Sequence, residues 1–109
     1  MSDIVTSLQN QRVKDAVKLR ERRGRDKQQR IIIDGVREIS RALDAGLVWS
    51  DVFACEAMLD EQGRSALESL RSSGAQIVHV SPAVFGKLAF GERRAGIVAV
   101  AKTPVRPLA

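Results

Sequence analysis

Residues 31–47 read IIIDGVREISRALDAGL, and their periodicity decides the fold. Ile31-Ile32-Ile33 is β-branched and apolar without alternation, the pattern of a strand covered on both faces. Asp34-Gly35 is a turn signal. Beyond it, Val36, Ile39, Leu43 and Leu47 recur at the 3.6-residue period of a helix that buries one face, and Gly46 is placed to stop that helix. A strand, a tight turn and an amphipathic helix within seventeen residues form the unit of an α/β domain.

The same alternation continues outward. Three more apolar runs follow: Val52-Phe53-Ala54-Cys55, Ile77-Val78-His79-Val80 and Ile97-Val98-Ala99-Val100-Ala101. They begin about twenty residues apart, which leaves room for a helix in each gap. In the second gap Leu59, Ala66, Leu67 and Leu70 share a face and Gly74 closes the segment. In the third, Ser81-Pro82 is an N-cap followed by proline in the first turn, opening a short helix with Val84, Phe85 and Leu88. Upstream, Asn10 can cap a helix running to about Arg23, with Gly24 just past its end. The order α-β-α-β-α-β-α-β predicts a small three-layer α/β/α sandwich around a four-stranded mixed or mostly parallel sheet. The end of the chain, TPVRPLA over 103–109, has two prolines and reads as a linker.

At 109 residues, 44% hydrophobic and 28% charged, the chain has the composition of one soluble globular domain. No stretch approaches the roughly 18 apolar residues of a membrane span. MSDIVTSLQNQR has no apolar core of a secretory signal. A single cysteine, Cys55, sits inside an apolar run, so a reducing, cytoplasmic setting is expected. One cysteine and one histidine cannot build a structural zinc site.

The net charge of +5 is unevenly spread. Residues 1–37 carry ten Lys/Arg against five Asp/Glu, whereas residues 38–109 carry eight of each. Nine bases fall within residues 10–30, NQRVKDAVKLRERRGRDKQQR. A one-sided basic field of this kind usually faces a polyanion, most often nucleic acid. In a helix opened by Asn10, the stripe Val13, Ala16, Val17 can rest on the sheet. Arg12, Lys14, Lys18, Arg22 and Arg23 then ring the remaining surface, Arg25, Lys27 and Arg30 carry the charge onward, and with Asn10 these residues form the candidate binding set. Arginine forks match phosphate oxygens in pairs. Glu21 and Asp26 among these bases leave open a merely solvated face. A second candidate is FGERRAG, 90–96, where glycines bracket Arg93 and Arg94 before a strand; a phosphate cradle and a plain polar connection are equally compatible with it.

The aromatics argue for recognition of shape and charge over base stacking. There is no tyrosine; Phe53 and Phe85 fall at core positions, Trp49 reads as packing at a sheet edge, and only Phe90 looks exposed. Catalytic signatures are missing as well: no GxGxxG, GxxxxGK[ST] or HExxH occurs, His79 lies inside a strand run, and Asp60-Glu61 suit a helix N-terminus.

Taken in order, Ile4, Ser7, Asn10 and Val13-Lys14, then Leu19 and the basic run through Gly24-Arg25, then Asp34-Gly35-Val36-Arg37-Glu38 and Ala42-Leu43 with Gly46, resemble the N-terminal substrate-binding domain of the SpoU (TrmH) family of RNA ribose methyltransferases. Val80-Ser81, Val84-Phe85, Leu88 and Gly96-Ile97-Val98-Ala99-Val100 continue the resemblance, which spans roughly residues 4–102. It implies a fold like that of small ribosomal, kink-turn-binding proteins. It also implies that the domain grips structured RNA, ribosomal or transfer, and presents a ribose to a following catalytic domain. On this reading residues 1–102 are the RNA-binding domain and 103–109 lead toward a knotted domain that binds S-adenosylmethionine and dimerises. This chain would hold neither cofactor nor catalytic residue and would be inactive and monomeric alone. A stand-alone ribosome-associated or kink-turn RNA-binding module is the other reading.

Overall fold

The computed structural model describes residues 4–89 and 95–104. Four strands, β1 (Arg30–Asp34), β2 (Trp49–Ala54), β3 (Gln76–His79) and β4 (Ile97–Lys102), coincide with the four apolar runs. Between and before them lie α1 (Gln11–Lys18), α2 (Arg22–Gln28), α3 (Val36–Asp44), α4 (Glu61–Ser72) and α5 (Pro82–Leu88), with a 3-10 turn at Glu56–Met58. The sheet order is β1-β4-β2-β3. β4 runs antiparallel to both its neighbours, and β2–β3 is the parallel pair. The sheet is therefore mixed. Because the last strand enters between the first two, parallel pairing is confined to one edge.

Alternation along each strand sorts the core into two clusters. On one face, Phe53, Cys55, Val98 and Val100 meet Val13, Ala16 and Leu19 of the α1 region and Val84, Phe85 and Leu88 of α5. On the other, Val52, Ala54, Ile97 and Ala99 meet Ile39 of α3 and Ala66, Leu67 and Leu70 of α4. The three layers are thus α1/α5, sheet and α3/α4, as the near-continuous apolar strands require. Cys55 is buried among them.

The expected helix stops hold for α3 and α4, where Gly46 and Gly74 take positive φ. Asp60 and Ser81 accept from the backbone N–H of Gly63 and Val84, as N-caps should. Two expectations need correction. Trp49 is half-buried at the start of β2, an inner strand, and packs on the α3/α4 cluster rather than at a sheet edge. The first helix does not run from Asn10 to Arg23: it ends at Lys18, turns through Leu19 and Arg20, and restarts as α2, with Gly24 inside the new helix. Leu19 explains the break. It must be fully buried in the α1/α5 cluster, which draws the chain inward and leaves the following basic residues to begin a second, wholly surface helix.

Candidate nucleic-acid interface

α1 is defined at its start by Asn10, whose Oδ1 accepts from Val13 N–H at 3.2 Å. Its buried side is Val13 and Ala16. α2 buries no residue, so apolar contact cannot hold it in place. Polar contacts do. Arg25 donates from Nη1 to the carbonyls of Leu19 and Arg20 at 3.0 and 3.1 Å, satisfying the end of α1. Gln28 Nε2 donates to Asp15 O at 2.8 Å. Gly24 permits the approach: a Cβ there would stand 2.0 Å from Lys18 O. At its far end α2 closes on Gln29 in the left-handed conformation, φ 54°, and Gln29 O accepts from Thr103 N–H at 3.0 Å. α2 thus folds back along α1 to form an elbow.

The elbow encloses a groove of about 420 Å³ lined by Lys18, Glu21, Arg23, Gly24 and Lys27. Three bases that are scattered in sequence converge here. Among the described residues, no carboxylate forms an ion pair with Lys14, Lys18, Arg23 or Lys27, and all four are exposed. Arg22 stands 3.8 Å from Asp26 with both side chains largely in solvent, a contact worth little. Their charge is available to a ligand.

Other members of the predicted set are placed differently. Asn10 is engaged as a helix cap. Arg25 serves the end of α1. Arg30 is held by Gln28 Oε1 at 2.6 Å, Ser50 Oγ at 2.8 Å and Asp51 Oδ2 at 3.3 Å. Arg12 is half-exposed and shares Asp51 at 3.5 Å. Arg93, Arg94 and Phe90 lie outside the described residues. Arg20, never a candidate, pairs with Asp34 at 2.7 Å beneath the elbow. Sequence reasoning missed Glu21 and Gly24 as groove residues, since Gly24 reads as a helix stop until Leu19 is known to turn inward.

Because Arg25 works structurally, its loss should register in folding. We expect Arg25→Ala to lower stability by about 1–2 kcal/mol in urea unfolding, the range for hydrogen bonds from a charged, partly exposed donor. Gly24→Ala should cost a similar amount, because moving α2 away from Lys18 O pulls Arg25 and Gln28 off the carbonyls they hold, and it should in addition open the groove and weaken any ligand held across it. Paired urea unfolding and binding titrations check both.

No helix among the described residues is long and apolar enough to cross a membrane, and no cluster of three metal-ligating side chains occurs among them. Residues 10–99 match the family described as the MRM3-like substrate binding domain. Among solved structures, an RNA 2′-O ribose methyltransferase is 36% identical, with a TM-score of 0.85 over 98% of this chain. An rRNA methyltransferase from Sinorhizobium meliloti, 21% identical over 97% of the chain, and the SpoU methyltransferase AviRb from Streptomyces viridochromogenes in complex with AdoMet, 23% identical over 92%, share the fold, each with a TM-score of 0.75. No curated protein matches. The chain spans only 38–40% of the length of these three proteins. With residues 10–99 matched, most of its length, the chain belongs to the MRM3-like substrate-binding domain family.

Proposed function

We propose that this domain grips structured RNA, ribosomal or transfer, through the α1–α2 elbow. On this reading it serves a methyltransferase whose separate catalytic domain uses S-adenosylmethionine to methylate a ribose 2′-hydroxyl. The observation that carries the reading is the convergence of Lys18, Arg23 and Lys27 on one groove, with Lys14 exposed on α1 and Arg22 on α2, where its contact with Asp26 at 3.8 Å lies largely in solvent. A groove lined by three cations, one carboxylate (Glu21) and no aromatic suits a folded phosphate backbone and does not suit stacked single-stranded bases. Residues 1–102 form the RNA-binding unit and 103–109 the lead to the catalytic domain. The parent is a cytoplasmic homodimer that carries out rRNA processing or tRNA modification. No residue of this chain is assigned to the cofactor or to methyl transfer.

Fluorescence anisotropy with labelled ribosomal and transfer RNA fragments tests this. With three phosphates neutralised, the logarithm of the affinity should fall against the logarithm of salt with a slope of about −2 to −3. Affinity indifferent to salt, or equal for an uncharged polymer, would overturn it.

A further inference from the structure

β1 lies at the edge of the sheet, beside β4 alone. Its inward side is identified by Gln29 O, which accepts from Thr103 N–H in continuation of the β1–β4 register. Antiparallel ladders alternate, so Ile31 and Ile33 also bond inward and Ile32 turns its N–H and C=O outward. Among the described residues no group bonds to those outward atoms of Ile32. Beside it a groove of about 270 Å³ opens between Ile32, Leu19, Arg20 and Arg25. An edge with unpaired backbone groups and three isoleucines is a template for another strand.

The sequence of β1 selects that strand. RIIID is self-complementary when read antiparallel about its centre. Ile32 would face its own copy, Ile31 would face Ile33, and Arg30 would face Asp34. Apolar side chains meet at the three central positions and no like charges stand opposed, while Arg30 and Asp34 keep their partners Asp51 and Arg20 within each copy. The register also places the outward-bonding Ile32 of each copy in one narrow, doubly hydrogen-bonded pair. We propose that β1 pairs with the β1 of a second copy of this chain, joining two four-stranded sheets into one of eight strands about a twofold axis. That axis is perpendicular to the sheet, so both α1/α5 layers, and both cationic grooves, lie on the same side. The pairing needs no RNA, and its test is separate from that of RNA binding.

Sedimentation and amide hydrogen exchange on protein stripped of nucleic acid decide the matter. The weight-average mass should climb with concentration from 11.9 kDa toward twice that value. The Ile32 amide should exchange about tenfold more slowly when nine-tenths of the chains are paired, while Ile31 and Ile33 stay protected throughout. Ile32→Pro should remain a monomer at every concentration, since proline is tolerated where an edge strand turns its N–H to solvent. A constant mass, or Ile32 exchange independent of concentration, would overturn the proposal, as would an Ile32→Pro variant that associates like the wild type. Should that variant fail to fold, the concentration dependence of Ile32 exchange in the wild type decides between the two outcomes.

Discussion

Replacing Lys18, Arg23 and Lys27 together by alanine is expected to lower RNA affinity by about 100- to 500-fold at about 0.1 M salt. The figure follows from counterion release. Each phosphate contact contributes about 0.7–0.9 to the slope of log affinity against log salt. At a tenth molar, three lost contacts therefore remove between two and three powers of ten. The slope should fall by the same two to three units, leaving a nearly salt-independent remainder. Folding should hardly notice, because all three side chains are exposed and surface substitutions usually stay within about 0.5 kcal/mol each. Arg12→Ala is the control: it sits on α1 but shares Asp51 away from the groove, and it should cost under about tenfold. A triple variant that binds like the wild type would remove the elbow from the account.

Gly96→Ala is expected to destabilise the domain strongly. Gly96 takes φ +72°, where a β-carbon costs about 1–2 kcal/mol. That carbon would also stand 2.7 Å from both Leu59 N and Met58 C, backbone atoms that cannot swing aside. Gly96 leads directly into β4, the strand on which both neighbours depend, and its carbonyl accepts from Cys55 N–H at 2.9 Å. Moving it disturbs the register on which both core clusters are built. A loss of about 3 kcal/mol is expected, a large share of the roughly 5–15 kcal/mol typical of a domain. Thermal unfolding should report it as a fall of about 10 °C or more. A change below about 1 kcal/mol in urea would show that the contact with the Met58–Leu59 backbone is not tight.

Most of the architecture was legible because each element carries a signal at its own scale. The four apolar runs are too continuous for a one-sided sheet, and Gly46, Gly74, Asp60 and Ser81 mark helix ends through chemistry that acts within one turn. The strand order could not be read, since nothing local says that β4 must slip between β1 and β2. The end of the first helix escapes the sequence for a related reason. Glycine after a basic run is an ordinary stop signal, and only the burial of Leu19, a tertiary fact, turns Gly24 from a terminator into a contact point. The same limit governs the candidate site. Charge density located the region, but it could not separate Lys18, Arg23 and Lys27, which face the groove, from Arg25 and Arg30, which hold backbone and side-chain oxygens of the domain itself. Those pairings reach from two to twenty-one residues along the chain, most of them beyond any local pattern.

The most direct test of the elbow as the RNA-binding face is a residue-by-residue map of amide chemical shifts on adding a structured RNA fragment. Perturbations should concentrate in α1 and α2, strongest at Lys18, Arg23, Gly24 and Lys27, and fade as salt is raised. Perturbations confined to the groove between the starts of α3 and α4, at Gly35, Arg37, Gln62 and Gly96, with α2 silent, would contradict it.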